Sequence, residues 1–138
     1  MKYMILTYGS QRDYDGMAGI DTGTPAWSGE DFAAMGSFMN AFNTELEESG
    51  ELVETRALAA PVHTRRFGAK DGTAFVTDGP YAETQEVLAG YWIVECESFD
   101  RANEIAARLA NCPAPAHVAA NAYADVRPII ENGDELGQ

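Results

Sequence analysis

A long apolar stripe, flanked on both sides by strand-like runs, constrains this chain most. Phe32, Met35, Phe38, Met39, Phe42 and Leu46 recur every three or four residues, so one face of a helix must be buried. Ser28-Gly29-Glu30-Asp31 supplies a capping box at its start, and Ser49-Gly50 a left-handed stop at its end. Before it, residues 2–8 form a compact apolar run closed by Gly9. After it, residues 52–58 alternate, with Val53, Thr55 and Ala57 on one face and Glu54 and Arg56 on the other. A helix of this kind between two strands hides its apolar face by packing on their sheet.

The same grammar returns later in the chain. Residues 91–96 are rich in aromatic and β-branched side chains and read as a strand. Ser98 is a natural N-cap, and Ala102, Ile105, Ala106 and Leu109 make a second helical stripe that stops at Asn111-Cys112-Pro113. Residues 125–130 read as a closing strand, at an edge or ending at Pro128, which has no N–H to donate. Between the two units, residues 64–67 and 74–77 flank a glycine-containing loop at 68–72 and predict a hairpin. Residues 10–28 and 113–122 lack periodicity and read as loops. The order β-α-β, hairpin, β-α-β predicts an α+β domain over residues 1–130, a ferredoxin-like split βαβ with an inserted hairpin, then an acidic tail at 131–138. Both helices would cover one sheet face. Tyr91 and Trp92 point to opposite faces, so the other face needs a cover, from the loop at 10–28 or from a second copy, and a homodimer is expected.

Charge narrows the partners. The chain holds 22 aspartates and glutamates against 9 lysines and arginines, a formal net charge of −13. Such a surface repels phosphate backbones and anionic lipid, which excludes nucleic acid and membrane as expected partners. The two cysteines show no metal-ligand spacing and make no disulfide framework, so a reduced, cytoplasmic setting is expected, with Cys96 a small core residue. There is no glycine-rich phosphate loop opening a helix and no paired metal motif, so neither a cofactor nor a metal is expected.

The run VTDGPYAETQEVLAG, residues 76–90, carries the candidate site. A turn explains Gly79 and Pro80. It does not require Asp78, Tyr81, Glu83 and Glu86 together. Asp78 is the candidate base, or a holder of a polar substrate atom; the competing reading has its carboxylate accepting from amides two residues on and fixing the turn. Glu83 and Glu86 would share a face if this stretch made a helical turn, as a ligand-binding pair or as solvated surface. Arg65 and Arg127 sit on predicted strands, where they either receive an anion or pair across strands with carboxylates, as Arg56 and Arg66 would. Trp92 is expected to wall a cleft or enter the core. His63 and His117, the two histidines, lie in loops with no zinc-like spacing.

MKYMILTYG at the start, VTDGPYAETQEVLAGYWIVE in the middle and DVRPI near the end resemble the DGPF branch of the YCII-related proteins, from Met1 to about Ile130. The resemblance implies a bacterial ferredoxin-like α+β domain that pairs through its sheets into a dimeric α+β barrel. It also implies a tie, in some members, to alternative sigma factors, and in the wider superfamily a His–Asp pair proposed as catalytic. Three departures bear on function. Tyr81 replaces the usual Phe, Gln85 stands where Lys is usual, and Met39 stands where related sequences often carry His. The expectation is a domain that binds a small polar or aromatic ligand near the DGP turn, with Asp78 able to do acid/base work. The alternative is a non-catalytic regulatory or protein-interaction module, linked to transcription control.

Overall fold

The computed structural model describes residues 1–78 and 81–137, with Asp78 described through its backbone alone. Gly79, Pro80, Gln138 and the Asp78 side chain lie outside the described residues. Strands β1 (Lys2–Gly9), β2 (Leu52–Ala57), β5 (Val87–Glu95) and β6 (Ala124–Pro128) form one antiparallel sheet in the order β2-β5-β1-β6. Helices α2 (Gly29–Glu48) and α3 (Phe99–Ala107) make the two crossovers, the ferredoxin-like arrangement. Strands β3 (Arg65–Lys70) and β4 (Thr73–Asp78) form a separate two-stranded ribbon.

One sheet face carries the core. Tyr3 and Ile5 of β1 and Trp92 and Val94 of β5 pack against Phe42 and Leu46 of α2 and Ala102, Ile105 and Ala106 of α3. Cys96 is buried with them, its thiol donating to the Ser98 carbonyl at 3.4 Å. Each fully buried aliphatic or aromatic side chain here contributes about 1.5–3 kcal/mol. Ser28 caps α2 by accepting from the Asp31 amide at 3.1 Å, while the Asp31 carboxylate takes the Ser28 amide at 2.8 Å. Gly50 leaves the helix at φ +78, a conformation costly for other residues. Tyr91 and Ile93 face the opposite side with Met4 and Leu6, away from the α2 and α3 residues of the core.

Four elements depart from the sequence reading. Residues 10–28 are not a continuous loop: helix α1 occupies Gln11–Met17, capped by Ser10. Residues 113–122 contain one helical turn, α4 (Ala116–Ala119). A bulge between Leu52 and Glu54 removes Val53 from the face it was expected to share with Thr55 and Ala57, and Val53 is half exposed. In the ribbon, the strands run through the expected glycine loop and turn only at Asp71-Gly72, with φ values of +52 and +80. Both turn residues have positive φ, as in the two-residue type I′ turn that matches strand twist. Gly68 is a strand residue instead, because the Phe75 ring lies where its Cβ would be, at 2.7 Å.

Candidate functional site

Small residues at one end of the sheet create a cavity on the helix side. Gly9 ends β1, Ala57 ends β2, and Ala89 and Gly90 lie near the start of β5. The β1–β5 register shifts between Thr7 and Tyr8, leaving Ala89 as the extra residue at this end of the floor. Gly90 is required to be small, since a Cβ there would stand 3.1 Å from the Arg56 carbonyl oxygen. Opposite, α2 presents Met35, Met39 and Asn43, one turn apart along the helix. The stripe read from the sequence is therefore divided: Phe42 and Leu46 fill the core, Met39 packs against it while lining the cavity, and Met35 lines the cavity one turn away. The cavity measures about 590 Å³.

Trp92 separates cavity from core. Its ring meets Phe42 edge-on, centroids 5.6 Å apart at 88°, and its indole N–H donates to the Asn43 Oδ1 at 2.8 Å. Burying indole with its one donor satisfied removes the usual cost of a hidden polar atom.

The helix α1, placed by its cap, forms one side. Tyr14 donates its hydroxyl to the Leu58 carbonyl at 2.9 Å, and burial raises its pKa above the ordinary value. The Arg12 amide donates to the Glu83 carbonyl at 3.0 Å, and the Gln11 side chain accepts from the Val62 amide at 2.8 Å. So α1 is tied both to the segment that follows residues 78–80 and to the chain leaving β2. Across the mouth, Tyr123 stacks on Tyr8 with centroids 5.2 Å apart, and its hydroxyl donates to the Glu86 carboxylate at 2.5 Å. That hydrogen bond, chiefly, pushes the Tyr123 phenol up to about 12. Tyr8 donates in turn to Asp125 at 2.8 Å, which raises its own pKa. His117, on α4, completes the mouth.

Of the candidates named from sequence, Glu86 and Trp92 meet in this cavity. Tyr81 instead receives the Arg66 guanidinium over its ring at 5.0 Å. Residues 82–85 form a turn closed by the Gln85 amide on the Ala82 carbonyl, not a helical face, so Glu83 and Glu86 do not stand as a pair. Arg65 is opposite Asp78 in the ribbon ladder. Arg127 is opposite Met4, on the sheet face away from the helices. The Asp78 carboxylate lies outside the described residues. Tyr14, Met17, Asn43 and Tyr123 were not singled out from sequence. The signal for α1 was present: Ser10-Gln11-Arg12-Asp13 has the same capping-box spacing as Ser28 and Asp31.

No helix among the described residues is long and apolar enough to cross a membrane. An uncharacterized protein of Rhizobium meliloti (strain 1021) is 29% identical over 129 residues, covering 94% of this chain and 92% of that protein. The YCII-related domain matches residues 1–131, with the ferredoxin-like order already seen in the sheet. The chain belongs to the YCII-related family.

Proposed function

We propose that this protein binds a compact small molecule, with an aromatic or aliphatic body, in the cavity between α2 and the end of the sheet. The observation that carries this reading is the cavity itself, about 590 Å³ between a floor of glycine and alanine and a roof of Met35 and Met39. An apolar body with a few polar groups at its rim is the usual form of a ligand site, and thioethers adapt to varied shapes. Met39 has no proton to transfer, so binding is supported further than turnover. Acid/base work, where present, falls to Asp78, at the end of β4.

A thermal-shift screen of small aromatic and polar metabolites tests this. A ligand at a hundred times its dissociation constant adds about 2.7 kcal/mol, several degrees in Tm. Met35→Trp fills the cavity and is expected to abolish the shift while the unliganded protein still melts cooperatively. Ligands that bind Met35→Trp as well as wild type would place the site elsewhere. Turnover of a bound ligand that disappears in Asp78→Asn would add catalysis, and unchanged turnover in that variant would remove Asp78 from it.

The same reading pairs two copies through the open sheet face. Met4, Leu6, Tyr91 and Ile93 are only half-buried there, a contiguous apolar strip of the kind that marks an interface. Light scattering is expected to give twice the 14.9 kDa chain mass, and Ile93→Glu to give the single mass. A wild-type monomer at micromolar concentration would contradict the pairing.

A further inference from the structure

We propose that the ligand of this cavity carries a protonated amine, held by the Glu86 carboxylate at the mouth; the proposal rests on the cavity reading above. The first ground is the hydrogen-bond inventory of the wall. Every hydroxyl and indole hydrogen there is already spent on a protein acceptor. Tyr8, Tyr14 and Tyr123 donate to Asp125, Leu58 and Glu86. Thr7 and Thr55 donate to the Gly90 and Tyr91 carbonyls at 3.2 and 3.0 Å, and Trp92 donates to Asn43. What these groups still offer is lone pairs and ring faces. Among the described side chains of the wall, the donors left are the Asn43 amide, the second amide hydrogen of Asn121 (the first goes to the His117 carbonyl at 2.9 Å), the His117 imidazole and the Arg56 guanidinium. A group rich in N–H donors finds more partners here than a group rich in acceptors.

The second ground is charge. Among the described residues of the wall, the acids are Asp13 and Glu86 and the guanidinium is that of Arg56. Arg56 is turned to the opposite sheet face, where its partner in the register is Tyr91 and its guanidinium lies 3.7 Å from Glu54. Its guanidinium is thus directed towards Glu54 and away from the cavity. Asp13 also has one oxygen engaged, its Oδ2 accepting the Ser10 amide at 2.8 Å, but it serves the cap of α1, and an ammonium there would compete with that cap. Glu86 has one oxygen engaged by Tyr123 and the other with no partner among the described residues. An ammonium at that oxygen would also approach the stacked rings of Tyr8 and Tyr123, whose faces attract cations. The net charge of −13 raises the local concentration of cations further.

Three probes of one shape separate the possibilities: 2-phenylethylamine, 2-phenylethanol and phenylacetate, titrated calorimetrically near neutral pH. The amine is expected to bind at least tenfold tighter than the alcohol, and the carboxylate most weakly. Glu86→Gln keeps an acceptor for Tyr123 and is expected to bring the amine down to the alcohol's affinity, leaving the alcohol within twofold. Glu48→Gln removes the same charge from the far end of α2 and is expected to leave the preference intact. Alcohol or carboxylate binding as tightly as amine overturns the amine assignment while the cavity reading stands. A preference that survives Glu86→Gln, or is lost equally in Glu48→Gln, overturns Glu86 as the anchor. Absence of binding by all three at millimolar concentration overturns both readings.

Discussion

Glu86 and Tyr123 show how a single hydrogen bond sets the chemistry of the cavity mouth. With its hydroxyl given to a carboxylate, Tyr123 resists ionisation up to about 12, against an ordinary 10.0. A phenol whose pKa is raised in the folded state stabilises it below pH 10, and that contribution is lost as pH rises towards 12. Tyrosinate absorbance is therefore expected to show a last component that is missing in Tyr123→Phe. In Glu86→Gln that component should move back towards 10.0. A titration unchanged by either substitution would contradict the contact. Gly90 makes the complementary case, since its importance is geometric. Gly90→Ala places a Cβ 3.1 Å from a backbone oxygen that cannot swing aside, and is expected to cost about 1 kcal/mol in urea unfolding. Sequence alone marked Glu86 through its company in the DGP run, but gave no sign of Tyr123 or of Gly90's contact. Both depend on which residues a bulge and a strand pairing bring opposite one another, and such long-range register is not written in local pattern.

At the scale of elements, two serines do the same chemistry with different consequences. Ser10 and Ser28 each close a capping box, on a helix of 7 residues and on one of 20. Losing a cap costs about 1 kcal/mol. The long helix α2 carries Phe42 and Leu46 into the core, so Ser28→Ala is expected to appear as lower global stability with ligand affinity preserved. The short helix α1 has no fully buried residue and carries the half-buried Tyr14 and Met17 to the cavity. Ser10→Ala is expected to weaken ligand binding severalfold, with faster amide exchange over 11–17, more than it lowers the melting temperature. Equal losses of stability in the two variants, with affinity untouched in both, would show that α1 does not position the wall. The long elements were legible because burial imposes periodicity: α2, α3 and the strands on either side follow from their stripes. Helix α1 was not, because a helix with no fully buried residue has no stripe to read. Its cap was the one local signal. The hairpin turn was misplaced for a related reason, Gly68 being a packing glycine under Phe75 while Asp71-Gly72 holds the turn.

For the whole molecule, the question is what joins the two β-α-β halves beyond their shared sheet. The core does so through Phe42 and Ile105, which belong to different crossovers yet pack in one cluster. A second junction is electrostatic. Arg101 of α3 grips Glu51, just before β2, with Nε and Nη2 at 2.9 and 2.8 Å from its two oxygens. Glu51 sits in the link between α2 and β2, so this fork ties the first half to the helix of the second. The Arg101 hydrogen bonds hold the Glu51 carboxyl below its ordinary value of 4.5. A depressed carboxylate pKa stabilises the fold above the unfolded value, and the contribution fades as pH falls through the folded one. Glu51→Gln is therefore expected to cost about 1 kcal/mol at pH 7, modest because Arg101 is a third exposed. The difference from wild type should begin to shrink below pH 4.5 and vanish in stronger acid, whereas a mere packing defect would persist at every pH. Urea unfolding of both proteins across that range decides between the two. Parallel curves would mean that the Arg101–Glu51 fork adds no pH-dependent tie between the halves, and convergent ones that an acidic protein uses one of its few cations as a clamp between them, beside the Arg108–Glu45 pair.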